Sequence, residues 1–122
     1  MALPRNLTSQ SATLASGASL TSAINIAGFQ IVGFLTDAAW TAAAITMQAS
    51  SDAANYSEAL LSTGAAFELG ASTSIGSSRY VAVGSGVIDT SGAVQIKLRS
   101  GTSGSPVTQT ASTTLTVLLQ PV

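Results

Sequence analysis

The segment Val94–Gly101, "VQIKLRSG", constrains this chain more than any other. Val94, Ile96 and Leu98 alternate with Gln95, Lys97 and Arg99, a two-residue period that puts the apolar side chains on one face and the polar ones on the other. An α-helix would scatter these residues around its circumference. The pattern therefore predicts a strand with one face on a core and one in solvent, and similar patterns recur along the chain. Leu20, Ser22, Ile24 and Ile26 share a face, and "FQIVGFLT" after Gly28 is β-rich on both faces, as in a central strand. Ile45, Met47 and Ala49 alternate with Thr46, Gln48 and Ser50, and Leu115, Val117 and Leu119 with Thr114, Thr116 and Leu118. "NYSEALL", "AAFELG" and "RYVAVG" supply weaker strands, with turn chemistry at Ser62–Gly64 and Asp89–Gly92. The count reaches about eight short strands at the spacing of sandwiches. The expected fold is all-β: one β-sandwich domain over residues 18–122, jelly-roll-like or of related topology. Met1–Gly17 is polar, small-residue-rich and aperiodic, which predicts an extended N-terminal arm.

One stretch competes with this reading. "TDAAWTAAAITMQASSDAANY" (Thr36–Tyr56) is alanine-rich and opens with a potential helix cap at Asp37. On a 3.6-residue period, however, Trp40, Ile45, Met47, Tyr56 and Leu60 do not gather on one stripe. Strand–turn–strand is favoured, with room for one helical turn near Asp37–Thr41 and turn residues over Ser50–Asn55.

Composition excludes many functions. Charged residues are 7% of the 122-residue chain, against about a quarter in an average domain, and the net charge is −1. Arg5, Arg79, Lys97 and Arg99 are the only cations, too few and too scattered to neutralise a phosphate backbone or to hold an anionic membrane surface. No nucleic acid and no membrane partner is expected. Near-zero charge leaves little repulsion between copies, which favours a subunit of an assembly. With no cysteine and no histidine, the chain lacks disulfides, thiolate sites, the commonest general base and the commonest transition-metal ligand. The longest uncharged apolar run, Ala23–Leu35, is shorter than the ~20 residues of a membrane-spanning helix, and the N-terminus lacks the apolar run of a signal peptide.

Catalytic and metal sites are not expected, and neither is a cofactor. Nothing in the spacing of Asp37, Asp52, Glu58, Glu68 and Asp89 forces two carboxylates together. Asp52 suits a turn better than an oxygen cage with six or more ligands. "GSGVID" (Gly84–Asp89) lacks the third glycine and the helix of a phosphate loop. Trp40, the single tryptophan, fits packing beside a β core better than sugar stacking. Arg99 reads either as an arginine anchored by loop carbonyls or a carboxylate, or as an outward-facing strand-end charge.

Two blocks, "AAWTAAAITMQASSD" (Ala38–Asp52) and "IKLRSGTSGSPVTQTASTTLTVLL" (Ile96–Leu119), resemble a family of small proteins encoded among the virion genes of tailed phages. Trp40, Ser50, Asp52, Leu98, Arg99, Ser100, Gly101, Thr102, Pro106, Val107 and Gln109 carry the match, and the Arg99–Gln109 block is its most specific part. Where the family has Asp-Gly, this chain has Asp52–Ala53, and alanine resists positive φ. The resemblance implies a virion structural protein. The expectation is a capsid decoration (cement) protein, not an enzyme, made in the host cytoplasm and carried on the capsid surface. Its partners would be the major capsid protein and copies of itself, as a homo-dimer or homo-trimer. The arm residues Leu3, Arg5 and Leu7, with Trp40 and Arg99, are the candidate interaction residues. A receptor- or carbohydrate-binding module of a head fibre or tail tip is the alternative, resting on Trp40 with Asp37 or Asp52.

Overall fold

Eight strands form two four-stranded antiparallel sheets in the computed structural model, which describes residues 7–60, 67–70, 74–83 and 92–121. They are β1 (Thr8–Leu14), β2 (Ile24–Asn25), β3 (Phe29–Thr36), β4 (Ile45–Ser50), β5 (Ser57–Glu58), β6 (Tyr80–Ala82), β7 (Gln95–Ser100) and β8 (Thr113–Pro121). One sheet has the order β1-β8-β3-β6, the other β2-β7-β4-β5. The first sheet pairs the first strand with the last and the third with the sixth, and the second sheet pairs the second with the seventh and the fourth with the fifth. The chain is thus one long hairpin rolled onto itself, with β3–β8 and β4–β7 closing the roll. That connectivity is the eight-stranded jelly roll.

The core lies between the sheets. From the first sheet come Ala12, Leu14, Ile31, Phe34, Leu115, Val117 and Leu119; from the second come Ile24, Ile45, Met47, Ile96 and Leu98. The register explains the sequence patterns. Met47 faces Leu98 and Ala49 faces Ile96, so the alternating residues of β4 and β7 meet on the core side. β3 reads as apolar on both faces because its register with β8 shifts between Ile31 and Gly33. This bulge resets the alternation, so that Ile31 and Phe34 both point inward.

Thr36–Tyr56 contains no helix. Asp37 starts a turn, its Oδ1 accepting Ala39 N–H and its carbonyl accepting Trp40 N–H. A helix would need Thr41 N–H to continue the ladder, but that group donates to Gln109 Oε1 at 2.6 Å.

The arm expected over residues 1–17 is corrected. Thr8–Leu14 pairs with β8 along its whole length, from Thr8 opposite Leu119 to Leu14 opposite Thr113. Ala12 and Leu14 are buried, so this segment belongs to the sandwich and its removal would open the core. The cause is non-local: β8 is a central strand whose second edge needs a partner. Residues 1–6 lie outside the described part, as do the expected turns at 62–64 and 89–91 and the Gly84–Asp89 loop.

Candidate functional site

The Arg99–Gln109 block builds structure. Arg99 is the penultimate residue of β7 and is buried at 8% exposure. Its Nη2 forms an ion pair with Glu58 Oε1, and its Nη1 donates to Thr46 Oγ1 at 3.3 Å. Thr46 Oγ1 in turn donates to Gly101 O at 2.7 Å. Gly101 has φ +88°, and a Cβ there would come within 2.6 Å of both Ser105 O and Val107 N, so only glycine fits. Thr102 Oγ1 accepts Ser105 N–H, closing the turn.

Gln109 is the hub of this end of the roll. It is 1% exposed, and its Nε2 donates to Ser100 Oγ at 2.7 Å and to Thr41 O at 3.2 Å. Its backbone accepts from Gly17 and donates to Ala18. Three connections, β1–β2, β3–β4 and β7–β8, are therefore tied by this one residue, whose side-chain amide uses its donors and acceptor internally. Asp37 reinforces the same end, accepting Thr113 Oγ1–H at Oδ1 and Thr114 N–H at Oδ2. Burial alone would raise its pKa, but the hydrogen bonds from Thr113, Thr114, Ala39 and Trp40 outweigh it and hold the carboxyl below its ordinary value.

Trp40 is buried at 4% exposure, and its Nε1–H donates to Ile75 O at 2.8 Å. Trp40 and Arg99, expected as interaction residues, are corrected on this ground: both are consumed by internal contacts. Leu7 is 47% exposed ahead of β1, whereas Leu3 and Arg5 lie outside the described residues. Trp40, Asp37 and Asp52 form no exposed cluster. Asp52 sits in the β4–β5 turn, where its carboxylate accepts from Ser50 Oγ, Ala54 N, Asn55 N and Asn55 Nδ2. Those bonds, led by the one from Asn55 N–H, push its pKa well down. Ala53 sits in this turn at φ +61°, a left-handed conformation that strains a residue carrying a Cβ. Beside it lies a shallow, open concavity lined by Ser50, Asp52, Asn55, Gly92 and Ala93. Among the described residues, no group of three or more acidic side chains is placed to hold a metal ion, and no helix is long and apolar enough to cross a membrane.

What sets the molecule apart is how its charge is distributed. Among the described residues, the charged residues within strands all belong to the second sheet, Glu58, Lys97 and Arg99, while Arg79 lies just ahead of β6. Lys97 Nζ lies 4.4 Å from the Tyr56 ring centroid, and Tyr56 Oη–H donates to Gln95 Oε1, so that outer face is engaged with itself. The first sheet has no charge in any of its strands. Its outer face carries Ser9, Ser11 and Thr13 from β1, Thr114, Thr116 and Leu118 from β8, Leu35 from β3, and Tyr80 and Ala82 from β6. Tyr80 is 56% exposed, its ring lying across Gly33, where an added Cβ would sit 3.0 Å from Tyr80 Oη. Leu35 and Leu118, both half-buried, sit beside it. The result is an apolar, aromatic centre rimmed by hydroxyls, the make-up of a protein–protein contact patch. Sequence reasoning missed this face. Its signal, the lack of charge in four strands, becomes visible only once those strands are known to share a sheet.

The fold and surface define an all-β jelly roll with one neutral face. Comparisons with protein-family models, with curated proteins and with solved structures return no match.

Proposed function

We propose that the protein is a phage capsid decoration protein that binds the outer surface of the head through the uncharged face of the β1-β8-β3-β6 sheet. The observation that carries this reading is that face: four strands without a charge, centred on Tyr80, Leu35 and Leu118. A neutral patch of this kind suits burial against another protein surface and suits neither phosphate nor an anionic lipid headgroup. The resemblance of the Trp40 and Arg99–Gln109 blocks to phage virion proteins supports the same reading, as does the jelly roll, an architecture used by viral capsid proteins, by analogy of fold alone. The binding-module alternative rested on an exposed Trp40, and burial of that residue removes its aromatic platform.

The test is location in particles of the phage whose genome encodes the chain. Immunogold labelling or a particle map should place copies on the head lattice, and Tyr80→Asp with Leu118→Glu should abolish occupancy while the purified variant keeps its fold. Copies found only at the tail tip, or particles without the protein, would overturn the proposal.

A further inference from the structure

The four sheet edges are not equivalent. β2 and β5 are two residues long and β6 is three, too short to template another strand. β1 is seven residues long and pairs with β8 without a register shift, and among the described residues no strand pairs with its other side. Natural edges are blunted by lysine, proline, bulges, inward-pointing charges or brevity. The β1 sequence, Thr8–Leu14, uses none of these. The side left unpaired by the described strands is a row of backbone donors and acceptors, and the ligand that matches such a row is another extended strand.

We propose that a second copy of this chain occupies the edge, the two β1 strands pairing antiparallel about a two-fold axis at Ser11. The strand is self-complementary in that register. Ser11 faces its own copy, Ser9 faces Thr13, Gln10 faces Ala12 and Thr8 faces Leu14, so hydroxyls meet hydroxyls on the outer face. That row continues one already present, since Ser11 Oγ and Thr116 Oγ1 lie 3.2 Å apart. No like charges meet across the axis, because neither β1 nor β8 carries a charge. The two four-stranded sheets become one sheet of eight, and the uncharged face runs unbroken over both copies. The inference is separate from the decoration reading, because it is measured on the purified chain without particles.

The experiment uses the full chain, which lacks cysteine, so a single engineered thiol reports alone. Ser11→Cys puts the two thiols directly opposite each other, at a Cβ separation that a small adjustment brings to disulfide range. Under mild oxidation it should cross-link to dimer, while Ser105→Cys on an exposed loop should not. Light scattering after size exclusion should give twice the single-chain mass for wild type at high concentration. Ser11→Lys, which sets two ammonium groups face to face at the axis, should give the single-chain mass with an unchanged melting temperature at dilution. Wild type that stays monomeric, Ser11→Cys that fails to cross-link, or Ser11→Lys that stays dimeric each overturns the proposal. So does a Ser11→Cys variant whose thiol labels freely in solution and is protected only on particles, because that outcome gives the edge to the particle's own protein.

Discussion

Replacing Arg99 with methionine should test whether the Arg99–Glu58 pair anchors the second sheet. Methionine keeps an unbranched apolar stem and removes the guanidinium. Breaking a fully buried ion pair costs about 3–5 kcal/mol, and an exposed one contributes at most about 1 kcal/mol. This pair lies between those limits, because the Arg99 side chain is 9% exposed and that of Glu58 is 32% exposed. In the variant, Glu58 can rehydrate, and Thr46 Oγ1 keeps its bond to Gly101 O. The expected loss is about 2 kcal/mol, which for a domain of this size corresponds to a melting temperature lower by roughly 6–10 °C. Urea unfolding followed by the fluorescence of buried Trp40 measures it, with the m-value unchanged if the native fold is retained. Glu58→Gln should cost less, because its amide oxygen still accepts from Arg99. The double variant should be more stable than the sum of the two losses predicts, by about 1 kcal/mol of coupling. Strict additivity, or a loss under about 0.5 kcal/mol for Arg99→Met, would refute the anchoring role.

Two further outcomes follow from the turns. Ala53→Gly should stabilise the domain by about 0.5–1 kcal/mol, since relief of left-handed strain of about 1–2 kcal/mol exceeds the added unfolded-state entropy of about 0.4–1 kcal/mol; a lower urea midpoint would show that Ala53 is not strained. Asp37 has a lowered folded-state pKa, so its stabilisation is complete above the unfolded-state value of about 3.9 and is lost as pH falls through the folded value. Urea midpoints of wild type and Asp37→Asn should therefore differ most near neutrality and converge in acid, and a gap that stays constant below pH ~3 would exclude the carboxylate as the cause.

Much of the fold was legible because β8, and β7 as far as Leu98, press one face on the core and leave the other half-exposed, so side-chain alternation maps onto burial there. β3 was recognisable as central, but the bulge before Gly33 hid the cause of its two-sided apolarity. β1 was missed because only Ala12 and Leu14 carry its apolar contacts, and its strand state comes from β8, far along the chain. The Arg99–Gln109 block builds a glycine turn and a buried ion pair, and sequence alone cannot separate a motif that serves these from one that serves a partner. The neutral face was invisible for a different reason: it is a property of strand neighbours, none of them adjacent in the sequence.

The place of β8 at the centre of the first sheet also sets the order of events during synthesis. β1 and β3 both wait for it, and Ser11 is separated from Thr116 by 105 positions. At translation rates of about 5–20 residues per second, β1 spends roughly 5–20 s without its partner. Sandwiches dominated by such distant pairings fold slowly, in milliseconds to seconds, and are exposed to misassembly meanwhile. The serine, threonine and glutamine that make β1 weak as an isolated strand keep it hydrated through that interval. An aliphatic β1 would gain stability in the finished sandwich and aggregate on the way to it.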